Sequence, residues 1–159
     1  MTNATEIPSR DQWLRLWSAL PAASVKALAS DLAGQHQVQD LALPQSGLGL
    51  LPITDSALGD TYFIGEIPLA QAHVRVTTTH GQSVEGAAIL VDDRAGVARA
   101  MAILDAVLAA RIPGCEAATE LLDQGAAALA EQSHQRRSLL VATRVNFALL
   151  GTNEEDDDE

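Results

Sequence analysis

Apolar and polar positions follow two different periods along this chain, and the switches between them divide it into three stretches. In the first, Trp13, Leu16, Trp17 and Leu20 recur at helical spacing up to Pro21, after a Ser9-Arg10-Asp11-Gln12 segment with the form of a capping box. A second helix is predicted from Ser24 to Leu32, with Val25, Leu28, Ala29 and Leu32 on one face and Gly34 just past its end. From Gln37 to Val91 the period becomes two. Short apolar runs there alternate with turn-type residues at Pro44 to Gly47, Thr54 to Asp60, Pro68 to Gln71 and Thr79 to Gln82. These breaks predict strands at Val38–Leu43, Leu48–Ile53, Thr61–Ile67, Ala72–Thr78 and Ser83–Val91, and the short connections make neighbours antiparallel.

The helical period then returns. Val97, Ala98, Met101, Leu104 and Leu108 form a stripe that Asp92-Asp93-Arg94 would cap and Pro113-Gly114 would end. An Ala-rich helix follows over about Glu116–Ser138, and the alternation of Thr143, Val145, Phe147 and Leu149 favours a closing strand. The expected fold is α+β: an antiparallel sheet of about five to six strands, with N-terminal helices and two C-terminal helices packed against it. Residues 1–151 read as a single domain and 152–159 as a disordered acidic tail.

Composition refines this picture at a few points. The net charge is −11, but the last six residues are all acidic, which leaves 15 acids against 10 bases, a net of −5, for residues 1–153. The bases are scattered and aromatic residues make up only 3%, so neither a basic stripe nor a stacking platform for nucleic acid is present. No apolar run reaches the roughly 18 residues of a membrane span and the N-terminal residues are polar, which predicts a cytoplasmic chain. The single Cys115 has no intrachain disulfide partner and reads as a small apolar side chain.

Candidate chemistry is sparse. His36, His73, His80 and His134 stand apart from one another without metal-ligand spacing, Ser46-Gly47-Leu48-Gly49 opens no helix, and no Gly-x-Ser-x-Gly elbow occurs. Two features stand out. In the stretch GDTYFIGEIPLAQAHVRV, Glu66 and Arg75 interrupt apolar runs. A turn at Pro68 to Gln71 would set Glu66 opposite His73 and diagonal to Arg75, on one face with Tyr62 and Ile64. That face reads either as a solvated surface with an ion pair or as a subunit contact in which polar groups fix register. Asp105 lies within the apolar stripe of its helix and needs a partner, for which Arg144 and Arg75 are the candidates.

Several segments in order, RDQW, FIGEIPLAQAHVRV, Gly81 with Gly86, ARAMAILDAVL and ATRVNF, resemble the PhnG family of the bacterial carbon-phosphorus lyase core complex, over roughly Ser9 to Gly151. This chain reads Asp92-Asp93-Arg94 where that family usually has a Gly-basic-Asp turn, and Asn146 where it usually has Asp. The resemblance implies a component that works with subunits H, I and J, closest to I, in an assembly whose symmetric centre is formed by the G and I subunits, with another copy of itself as a further candidate partner. It implies a part in the displacement of adenine from ATP by methylphosphonate, yielding α-D-ribose 1-methylphosphonate 5-triphosphate. The iron-sulfur cluster and S-adenosylmethionine would belong to the J component, with no cofactor bound by this chain alone. On that view no residue here is catalytic, and Glu66, His73, Arg75, Asp105 and Arg144 serve as interface or bracing residues. The alternatives are a stand-alone small-molecule or nucleotide-binding enzyme, with its site where Arg75, Asp105 and Arg144 converge, and an assembly module of another complex.

Overall fold

A computed structural model describes residues 7–142. It contains α1 (Arg10–Ser18), α2 (Ala22–Gln35), β1 (Gln37–Thr54), β2 (Thr61–Thr77), β3 (Ser83–Leu90), α3 (Ala95–Ala109) and α4 (Cys115–Ala142). The α+β class is as expected. The sheet is smaller in number and longer in strand: among the described residues it has three antiparallel strands in the order β1-β2-β3.

Two of the turns expected from sequence are not turns. At Pro44 the first two expected strands join into one, because β1 absorbs its extra residues as irregularities between Asp40 and Ala42 and between Ala42 and Gln45. At Pro68 the third and fourth join. The last pair between β2 and β3 is Ala70 with Leu90, so Pro68 lies where β2 has lost that neighbour and a missing N–H is tolerated. Residues on either side of Pro68 therefore share a strand and do not pair with one another; Phe63 is opposite Pro52, and Ile67 is opposite Gly49. The turns at Thr54 to Asp60 and Thr79 to Gln82 do form, closed by Asp55 N–H to the Asp60 carbonyl at 2.8 Å and Thr78 N–H to the Gln82 carbonyl at 2.8 Å.

One face of the sheet is covered. Ala70, Ala72, Val74 and Val76 of β2, with Ala88 and Leu90 of β3, are buried against α3. This helix is buried on all sides from Ala100 to Leu108, because α1, α2 and α4 pack on its far surface. Trp13, Leu16 and Trp17 of α1, Val25, Ala29 and Leu32 of α2, and Leu121 and Leu122 of α4 complete the core.

The helix ends differ in detail from expectation. Ser9 is the N-cap of α1 but makes no side-chain cap bond, and the residue capping α3 is Arg94 rather than an aspartate. Asp92 instead accepts the Arg94 backbone N–H at 2.7 Å and pairs with its guanidinium, which holds the Asp92 carboxyl down at about 2. Gly34 lies inside α2, which runs to Gln35. Gly125 does not interrupt α4. A Cβ there would lie 2.3 Å from the Leu16 carbonyl oxygen, so the glycine is what lets α4 cross α1 at backbone contact. The expected closing strand at Thr143–Leu149, with Arg144 and Asn146, lies outside the described residues, as does the acidic tail.

Candidate functional site

The face of the sheet turned away from α3 carries His73 and Arg75, two of the polar residues singled out from sequence. Val74 and Val76 point into the core, so the pleat sends His73, Arg75 and Thr77 outward. Arg75 is directly opposite Glu85 of β3, and its Nη2 donates to Glu85 Oε1 at 2.6 Å. His73 Nε2 lies 3.2 Å from Glu85 Oε2, and the Thr77 and Ser83 hydroxyls meet at 2.6 Å. The expected partner of His73 and Arg75, Glu66, belongs instead to the far part of β2, opposite Leu50. Beside this polar ladder the same face turns apolar. A shallow depression of about 260 Å³ is lined by Ala42, Leu43, Gln71, His73, Ala87 and Ile89 among others.

The Arg75 hydrogen bond holds the Glu85 carboxyl below the ordinary glutamate range, with a smaller contribution from His73. Because the carboxyl is more acidic in the folded chain than in the unfolded one, the ladder stabilises the fold at neutral pH. That contribution is lost as pH falls through the folded-state value. An NMR titration is expected to place the Glu85 midpoint below that of free glutamate in the wild type and close to it in Arg75→Gln. An unchanged midpoint in the variant would mean that the pair does not form in solution.

Asp105 lies on the other side of the sheet. Its carboxylate accepts Arg10 Nε at 2.8 Å and Nη2 at 2.6 Å, and the backbone N–H of Ala87 at 3.1 Å. The partner is therefore Arg10, not Arg75, which lies across the sheet, while Arg144 is outside the described residues. One carboxylate thus ties α1, α3 and the edge strand β3 together. A second tie, Arg99 Nε to Asp40 Oδ1 at 2.7 Å, fixes α3 to β1. Sequence reasoning missed Arg10, Glu85, Asp40 and Arg99. Arg10 shares the helical stripe of Trp13 and Trp17, and Glu85 falls opposite Arg75 once the turn at Thr79 to Gln82 closes; those were the available signals.

The third feature is apolar. Beyond Ala70, β1 and β2 continue as a two-stranded ribbon, and no residue from Gln37 to Leu69 is buried. Phe63 is 65% exposed, Ile64 61% and Leu48 67%.

Nothing among the described residues groups three or more histidines, cysteines or carboxylates as a metal site. Cys115, the only cysteine in the sequence, has its thiol pushed up by burial and by neighbouring Glu116, and a single thiolate does not by itself hold an iron-sulfur cluster, which takes several. No helix among the described residues is long and apolar enough to cross a membrane. No curated protein matches the sequence. A family model described as phosphonate metabolism protein PhnG does match, over residues 8–151, a span that takes in both strands of the ribbon, the polar ladder and the Arg10–Asp105 tie; the chain belongs to the PhnG family.

Proposed function

We propose that this chain is an accessory component of the carbon-phosphorus lyase core complex, assembled with subunits H, I and J. In that setting it supports, with subunits H, I and L, the displacement of adenine from ATP by a phosphonate such as methylphosphonate. The product is α-D-ribose 1-methylphosphonate 5-triphosphate. The iron-sulfur cluster and S-adenosylmethionine of the later radical step reside on the J component.

One observation carries the accessory role. Among the described residues, the two charged groups singled out for chemistry are each engaged within the chain and share no cleft: Arg75 pairs with Glu85 on the outer face of the sheet, and Asp105 with Arg10 on the inner side. A self-sufficient reaction centre needs its acid, base and charge-stabilising groups around one point. The stand-alone reading required Arg75 and Asp105 to meet, and the sheet lies between them.

Reconstitution tests this. Adenine release from ATP and methylphosphonate by subunits H, I and L is expected to fall to background when this chain is left out, and the chain alone is expected to release none. Undiminished release without it, or turnover by the purified chain, overturns the proposal.

A further inference from the structure

We infer that the ribbon formed by Gly47–Thr54 and Thr61–Leu69 is a docking arm for a different polypeptide, one that offers an apolar cleft rimmed by arginine or lysine. The inference rests on the accessory reading above and names the surface by which such a component would attach.

The ribbon is not explained by the fold of the described residues. β2 runs nine residues, Thr61 to Leu69, past its last pair with β3, about 30 Å at strand rise. A two-stranded ribbon without further cover is marginal in water. This one also exposes Leu48, Leu50, Ile53, Tyr62, Phe63 and Ile64, a concentration of large apolar side chains on one short ribbon rather than single scattered ones. The helices of the described body cover the sheet only from Ala70 onward. A strand pair that stays paired to Thr54 and Thr61 through one irregularity, between Leu50 and Pro52, without a buried residue is suited to burial against another chain, with aromatic and aliphatic anchors at the centre.

Charge decides which chain. The ribbon and its turn carry Asp55, Asp60 and Glu66, and the sequence has no lysine or arginine between Lys26 and Arg75. Two copies meeting ribbon to ribbon would bring like charges together at a desolvated contact, which is costly. The chain's own last residues are a poor match: residues 143–153 offer one cation, Arg144, against the arm's three carboxylates, and residues 154–159 are all acidic. A basic rim on a different chain complements the arm, and it predicts association that weakens as salt rises.

The test is retention of subunits H, I and J by the tagged chain on co-expression, at low and high salt. Two variants are compared with the wild type: Phe63→Ser with Ile64→Ser, and Asp55→Lys with Asp60→Lys and Glu66→Lys. All five positions are exposed or only partly buried, so thermal unfolding followed by circular dichroism should stay near that of the wild type. Each variant is expected to retain roughly tenfold less partner, or lower still, and the wild type to retain less at high salt. Wild-type retention by both variants overturns the inference and leaves the accessory reading standing. A wild-type chain that retains none of H, I and J overturns that reading and the inference with it. A self-associated wild type that both variants dissociate assigns the arm to a second copy and overturns the choice of partner.

Discussion

Replacing Gly86 by valine is expected to lower the unfolding free energy by about 3 kcal/mol. Strand propensity alone points the other way, since valine is favoured and glycine disfavoured within a strand. The packing decides. A Cβ at Gly86 would lie 2.1 Å from the Ala102 carbonyl oxygen, 2.5 Å from the Ala106 amide nitrogen and 2.8 Å from the Ala106 Cβ. Two of those neighbours are helix backbone, so no rotamer change relieves the clash. Either α3 lifts from β3 or the strand bends away, and both open the core around Ala88, Met101 and Leu104. Urea unfolding should show a lower midpoint with an unchanged slope. Gly86→Ala should fall in the same direction by a smaller amount. Gly47→Ala, where nothing lies within 4 Å of the added carbon, should remain near the wild type. A Gly86→Val chain with the wild-type midpoint would mean that α3 does not rest on β3 at Gly86.

The helices were legible because their burial follows the apolar stripe that spacing reveals. Trp13, Leu16 and Trp17 of α1 and Val25, Ala29 and Leu32 of α2 are buried as their periodicity implies. The strand count was not legible, and the reason is local. Proline beside polar residues signals a turn only if the ladder would otherwise demand the missing N–H. At Pro68 it does not, because β3 has already ended, and at Pro44 irregularities in β1 accommodate it. The phase of alternation gave no help: Ala70, Ala72, Val74 and Val76 begin only after Pro68, and Phe63, Ile67 and Leu69 before or beside it fall in the opposite phase, so the pattern itself reads as a break.

The candidate site divided in the same way. Sequence marked His73 and Arg75 as outward-facing and Asp105 as a buried acid in need of a base, and all three readings agree with the geometry. Their partners were misread because partner choice depends on register and on which helix crosses which strand. Arg10 is separated from Asp105 by 95 positions. Nothing in the spacing of apolar residues encodes a contact of that range. The ribbon was harder still. Its apolar residues look like any buried strand, and only the absence of a third strand and of a covering helix among the described residues shows them to be exposed.

The Arg10–Asp105 tie gives an expected order of stabilities that separates a buried acid from a surface pair. The Asp105 side chain is 7% exposed and that of Arg10 is 58%. Loss of either partner is therefore asymmetric. In Arg10→Ala the carboxylate stays in the core with one remaining donor, the Ala87 N–H, and the cost is expected to be about 3 kcal/mol, the low end for a broken buried pair because water reaches the arginine side. In Asp105→Asn the freed guanidinium hydrates, the side-chain oxygen can still accept from Ala87, and the loss should be about 1 kcal/mol. The double variant should be more stable than Arg10→Ala alone, since the uncharged amide no longer strands a carboxylate in the core. Chemical unfolding of the three variants measures this directly. If Arg10→Ala costs no more than Asp105→Asn, or if the second substitution adds to the first, the carboxylate is hydrated in solution. The tie between α1, α3 and β3 would then contribute no more than an exposed ion pair.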